Sequence, residues 1–193
     1  MQCSTIDMDE QTTAKNTADE RRVRPASRWD VIAALEAGVA GGTVLLIVWM
    51  FLVSLPRFGT PWAMPRMIAA LVLGRGALVP TSLGDGVFIV LVGLMVHFAL
   101  SALYALPLSM LVQRWAWSAC VLAGMAWGLF LFLFNFSTPA DTFEWFQPAR
   151  GWINLFGHMA YGGLAGWSYE RFALPRAHRR EILMMHPSEP VTP

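Results

Sequence analysis

Two histidines stand in stretches of chain that are otherwise free of charge, and each has hydrogen-bonding neighbours at helical spacing. His97 is followed by Ser101 at i+4 and Tyr104 at i+7, which puts all three on one helix face. His158 is flanked in the same manner by Asn154 at i−4 and Tyr161 at i+3. An imidazole changes charge near neutral pH, and it also ligates metals and haem iron. Three readings of the pair are therefore open. Each ring can be neutral and hydrogen-bonded, joining helices; the pair can move or sense protons; or His97 and His158 can be the axial ligands of a b-type haem between two helices. Glu36 is the acid placed within an apolar stretch, either close to the membrane surface and solvated or serving as a proton-carrying or cation-binding carboxylate.

These side chains need elements to hold them, and the distribution of charge outlines those elements. In 193 residues, 55% are hydrophobic and 14% charged, which is not the balance of a soluble domain. No Asp, Glu, Lys or Arg occurs from Gly86 to Val112, from Trp115 to Phe136 or from Gly151 to Tyr169, and Val31 to Leu55 contains only Glu36. About 20 apolar residues cross the hydrocarbon of a bilayer, and helix satisfies the backbone there. The expected fold is all-α: a polytopic membrane protein of four transmembrane helices. His97 then lies about 15 Å from the outer end of the second, near the midplane.

The four helices read as two parallel helix-loop-helix repeats. At a single offset, Ala40, Gly41, Leu46, Phe51, Ser54, Pro56, Trp62 and Pro65 match Ala123, Gly124, Leu129, Phe134, Ser137, Pro139, Trp145 and Pro148. After a gap, Leu94, His97, Ala99 and Leu103 match Leu155, His158, Ala160 and Leu164. Repeats of this kind are common in membrane transport folds. Repeat one covers about 31–112 and repeat two about 115–172, within a transmembrane domain of 29–172. Residues 1–28 are expected to be a disordered cytoplasmic tail without a signal-peptide core, and 173–193 a second cytoplasmic tail. The first repeat has an insertion, Pro65 to Gly74, that reads as a short helix, interfacial or re-entrant on the outer side. Pro107 should kink the second helix, and the fourth should run on to about Pro175. Gly38 and Gly42, Gly124 and Gly128, and Gly162 and Gly166 have the spacing that lets membrane helices approach closely.

Lys15, Arg21, Arg22, Arg24, Arg28, Arg114, Arg171, Arg176, Arg179 and Arg180 fall on one side of this arrangement, against Arg57, Arg66, Arg75 and Arg150 on the other. The positive-inside rule then places both termini of this multi-pass membrane protein in the cytoplasm. Asn135, Asp141, Glu144 and Arg150 gather at the outer loop of repeat two, and Arg57 and Arg66 at that of repeat one, either as an external mouth lined by both signs or, more commonly, as exposed ion pairs. Cys3 and Cys120 cannot meet, so no disulfide, redox pair or cysteine metal site is expected. Phosphate-loop, zinc-protease, nucleophile-elbow and dinucleotide motifs are missing from the sequence, as is the basic and aromatic interleaving of a nucleic-acid binder.

The segments His97-Phe-Ala-Leu-Ser101-Ala-Leu-Tyr104 and Trp145-Phe-Gln-Pro148 leading to Phe156-Gly157-His158 resemble bacterial inner-membrane proteins of the YagU-like family. Pro61 to Gly74 is similar to the P-W-A-x-P-R-M-I-A-A-x-V-L-G segment of other short bacterial membrane proteins. The resemblance covers about residues 31–172 and implies a bacterial inner-membrane location without a mechanism. A non-enzymatic permeation, proton-responsive or accessory protein is expected, with no catalytic residue, resident cofactor or metal. Its partners are then the bilayer and a homo-oligomer or larger membrane complex. The rivals are a haem-binding electron-transfer subunit and a structural scaffold. Topology is testable in a Cys3→Ser, Cys120→Ser background. Thr60→Cys should react with an impermeant maleimide on intact cells, and Gln113→Cys only after lysis; reversed labelling would invert the orientation.

Overall fold

In the computed structural model, residues 29–137 and 143–185 are described, and side chains up to Arg179 except His178. The expected disorder of 1–28, the end of the second tail and the place of Asp141 lie outside the described residues. The described chain is helical and has no strand. Its helices are α1 (Val31–Phe58), α2 (Ala63–Leu73), α3 (Leu83–Val112), α4 (Trp117–Phe136) and α5 (Trp152–Met185). Short 3₁₀ segments at Arg75–Leu78 and Glu144–Ala149 complete the loops. Residues Trp29–Ala173 form one compact unit.

Three of the helices, α1, α3 and α4, are long and apolar enough to cross a membrane. The 34-residue α5 is long enough but less apolar, because Asn154, His158 and Ser168 interrupt its charge-free part. Those three side chains are buried against the other helices. The helix does not stop at Pro175 as the sequence suggests: it continues to Met185. One proline costs a helix a hydrogen bond and a steric adjustment, which good helix formers on either side can outweigh. Pro107 is likewise accommodated within a continuous α3.

Each helix begins and ends for local reasons. The Asp30 carboxylate caps α1 by accepting the Ala33 N–H at 2.9 Å, and Ser82 caps α3 through the Asp85 N–H at 3.1 Å. The short helix expected at Pro65 to Gly74 is α2; it ends where Gly74 takes φ 81°, a left-handed conformation that favours glycine. Six of its eleven residues, Met64, Pro65, Met67, Ile68, Ala69 and Ala70, are buried. It packs along α3, where Gly93 admits the Pro65 backbone.

Glycine sets the distances between the long helices. A methyl on Gly42 would lie 2.6 Å from Ser101 Oγ, so α1 and α3 meet at close range. Gly124 and Gly162 place the backbones of α4 and α5 against each other, and Gly128 does so for His158. The first Gly pair thus packs on α3, and the Gly pairs of α4 and α5 pack on one another. Gly162→Ala should cost about 1–3 kcal/mol or more, since backbone must move to admit the methyl. Gly76→Ala, in open space, should stay within about 0.5 kcal/mol. Unfolding in mixed micelles separates the two; equal effects would mean that the close approach is absent.

Candidate functional site

The polar residues of the two histidine motifs converge where α1, α3, α4 and α5 meet, toward the end of the bundle that bears α2. The sequence spacing places His97, Ser101 and Tyr104 on one face of α3, and Asn154, His158 and Tyr161 on one face of α5. The fold turns both faces inward: His97, Ser101, Asn154, His158 and Tyr161 are all buried. Burying a polar group in an apolar setting is costly unless it is paired. Here most of the pairs run from helix to helix.

His97 Nε2 lies 2.8 Å from the Gly42 carbonyl, tying α3 to α1. The Tyr161 hydroxyl donates to the Ser101 carbonyl at 2.6 Å, tying α5 to α3. Tyr104 donates to Asn135 Oδ1 at 3.1 Å, and Trp127 donates to the Tyr104 carbonyl at 3.0 Å, tying α3 to α4. His158 Nδ1 lies 2.9 Å from the Asn154 carbonyl, one turn back on its own helix. Carbonyl oxygens only accept, so the bonded imidazole nitrogen carries the hydrogen in both rings. In the neutral ring the other nitrogen is then an acceptor: Nδ1 of His97 and Nε2 of His158.

Between the histidines stands Trp49. Its ring is 5.3 Å from His97 and 5.7 Å from His158, centroid to centroid. Its indole N–H donates to Asn154 Oδ1 at 2.6 Å, while Asn154 Nδ2 reaches the Ala149 carbonyl at 3.4 Å. Trp49 falls at the start of a π-helical stretch of α1, Val48–Ser54. Wider turns of this kind are frequent at functional sites.

A cavity of about 280 Å³ opens among these groups. His97, Ser101, Tyr104, His158 and Tyr161 line it together with Trp49 and Asn135. The remaining wall is aliphatic or aromatic, including Leu45, Leu100 and Leu131 and Phe134, Phe136, Phe143 and Phe146. Ile68 and Leu71 of α2 close one side. Among the described residues the lining has no Asp, Glu, Lys or Arg. The cover is fastened by Trp145, whose indole donates to the Met67 carbonyl at 3.2 Å. Arg75 lies over the same ring at 5.6 Å and meets Glu144 at 3.3 Å in an exposed ion pair, which adds little.

Two sequence candidates sit differently. Asn154 buttresses the site through Trp49 and is not part of the cavity lining. Glu36 is on an exposed side of α1 and does not line the cavity. The sequence did not single out Trp49, and it grouped Asn135 with the outer-loop charges rather than with the histidines. A tryptophan deep in an apolar stretch needs an acceptor for its N–H, and that was the available signal. Among the described residues no group of three or more His, Cys, Asp or Glu could hold a metal ion. Compared with protein-family models, curated proteins and solved structures, the chain matches none.

Trp49→Phe keeps the aromatic body but leaves Asn154 Oδ1 without its donor. It should cost about 1–3 kcal/mol. Adding Asn154→Leu should then cost less than it does in the wild type, as expected of contacting residues. Strict additivity in the double-mutant cycle would mean that the two side chains do not interact.

Proposed function

We propose that this chain is a four-span protein of the bacterial inner membrane, built from two parallel repeats with both termini in the cytoplasm. We further propose that it is not an enzyme, but receives a neutral small molecule in the cavity between its spans, as a binding or permeation protein. The observation that carries this reading is the cavity: aromatic-walled, joined to all four long helices, and lined among the described residues by no formal charge other than what a histidine could acquire. Pockets for small molecules are typically concave and apolar with a few placed polar groups. An ion or a charged solute would find no partner of opposite sign there.

The fourth span is supported by where α5 keeps its polar groups. Asn154, His158 and Ser168 are buried, while Trp152, Phe156 and Trp167 are exposed, as suits a helix with a lipid-facing side. Quasi-equivalent contacts support the repeat. Trp49 and Phe132 are matched by the internal alignment, and each ring packs on a histidine, Trp49 on His97 at 5.3 Å and Phe132 on His158 at 5.7 Å. Ser101 and Gly162 also correspond, and each is the point of close approach for a glycine of the preceding long helix, Gly42 and Gly124.

A b-type haem held by His97 and His158 is less well supported by this arrangement. His97 Nε2 is engaged by the Gly42 carbonyl, and Trp49 packs against both imidazoles. The donor set does not suit one macrocycle ligated from both sides.

The test is stabilisation by ligand. At least one of a panel of neutral solutes should stabilise the protein in nanodiscs against unfolding, by about 2.7 kcal/mol at a hundredfold excess over Kd. Leu100→Trp, which adds bulk to the cavity wall, should remove that response while the unliganded protein still folds. If no solute stabilises the wild type, a scaffold becomes the better reading.

A further inference from the structure

The hydrogen-bond inventory of the cavity identifies what its occupant must offer. The side-chain donors around it are nearly all spent on the protein. His97 Nε2–H goes to Gly42, His158 Nδ1–H and the Trp49 N–H go to Asn154, the Tyr161 hydroxyl goes to Ser101, and the Tyr104 hydroxyl goes to Asn135. Among the described residues that line it, the side-chain donors not so used are the Ser101 hydroxyl and the Asn135 amide. What is left in excess is acceptor capacity: His97 Nδ1, His158 Nε2 and the lone pairs of the tyrosine hydroxyls. A neutral imidazole nitrogen in an apolar surround is a strong acceptor, and leaving it unmet is costly.

Size and wall chemistry narrow the class further. A cavity of roughly 150 Å³ already admits benzene. The cavity here, about 280 Å³, has room for one substituted ring or two fused ones. Trp49, Phe134, Phe136, Phe143 and Phe146 offer aromatic faces and edges to such a ring. Among the described residues no charged side chain lines it, which selects for a neutral occupant.

Resting on the reading of this cavity as a binding site, we propose that its ligand is a neutral aromatic ring bearing a hydroxyl donor, a phenol or the hydroquinone ring of a lipid-soluble quinol. The hydroxyl donates to a histidine nitrogen left free by the imidazole-to-carbonyl bonds, and the ring packs among the phenylalanines. An oxidised quinone offers only acceptors, meets a wall that is itself rich in acceptors, and binds less tightly than its quinol.

Fluorine NMR on the full chain in nanodiscs tests this directly, with 4-fluorophenol, 4-fluoroanisole and fluorobenzene as probes and empty nanodiscs as the partitioning control. 4-Fluorophenol should show a saturable bound signal, with 4-fluoroanisole and fluorobenzene at least about tenfold weaker, the loss expected for one hydrogen bond. His158→Phe should bring the phenol down to the level of its ether. The comparison on the wild type stands even if that variant does not fold. Displacement by a short-tailed quinol at lower concentration than by unlabelled phenol assigns the membrane pool as the source. The reverse order assigns a free phenol, and both orders support the hydroxyl donor. Equal binding of all three probes, abolished by Leu100→Trp, overturns the hydroxyl donor but keeps the binding cavity. No saturable binding of any probe overturns both.

Discussion

The hydrogen bond from Trp49 to Asn154 is the contact on which the centre of this protein depends. It is short, 2.6 Å, and buried, and it joins the first long helix to the last across most of the sequence. Because the indole is held at its N–H, its ring is fixed against both histidines, and the histidines in turn reach backbone carbonyls of α1 and α5. Remove the bond and the amide, the indole and two imidazoles all lose a constraint together. Polar groups in an apolar interior are strongest when such a network is complete and most costly when it is partial.

Close backbone approach makes the network possible. A carbonyl already used by its own helix has a second lone pair, but a neighbouring side chain must get near enough to use it. Gly42 provides both the carbonyl for His97 and the space for Ser101. Gly128 brings α4 onto the backbone at His158 without displacing the ring, which packs instead on Phe132 and Phe136. The small residues therefore position the acceptors as well as the helices. The cavity is the space left where larger side chains, above all the phenylalanines of α4 and the Glu144–Ala149 turn, cannot follow the backbones into contact.

The α2 helix and its connections give the site a cover. Ser54 accepts the Met64 N–H at 3.1 Å, which fixes the start of α2 to the end of α1, and Trp145 reaches back to Met67. Trp145 is thus half buried against α2. Its neighbours Trp62 and Trp152 remain exposed, as interfacial anchors are.

Much of the secondary structure was legible in the sequence, because in long apolar stretches only helix satisfies the backbone, and because a stop such as Gly74 acts locally; the caps Asp30 and Ser82 emerged only in the structure. The spacing of His97, Ser101 and Tyr104, and of Asn154, His158 and Tyr161, likewise determined which side chains share a helix face. It did not decide what those faces meet. That Asn154 supports Trp49 rather than lining the cavity, that Asn135 joins the site, and that Glu36 stays outside it follow from helix rotation and depth. So do the π-helical stretch around Trp49 and the passage of α5 beyond Pro175, each a local cost that only packing or flanking sequence could offset. Local chemistry chose the helices; which polar groups became partners was left to tertiary contact, since pairing depends on distances between residues far apart in the chain.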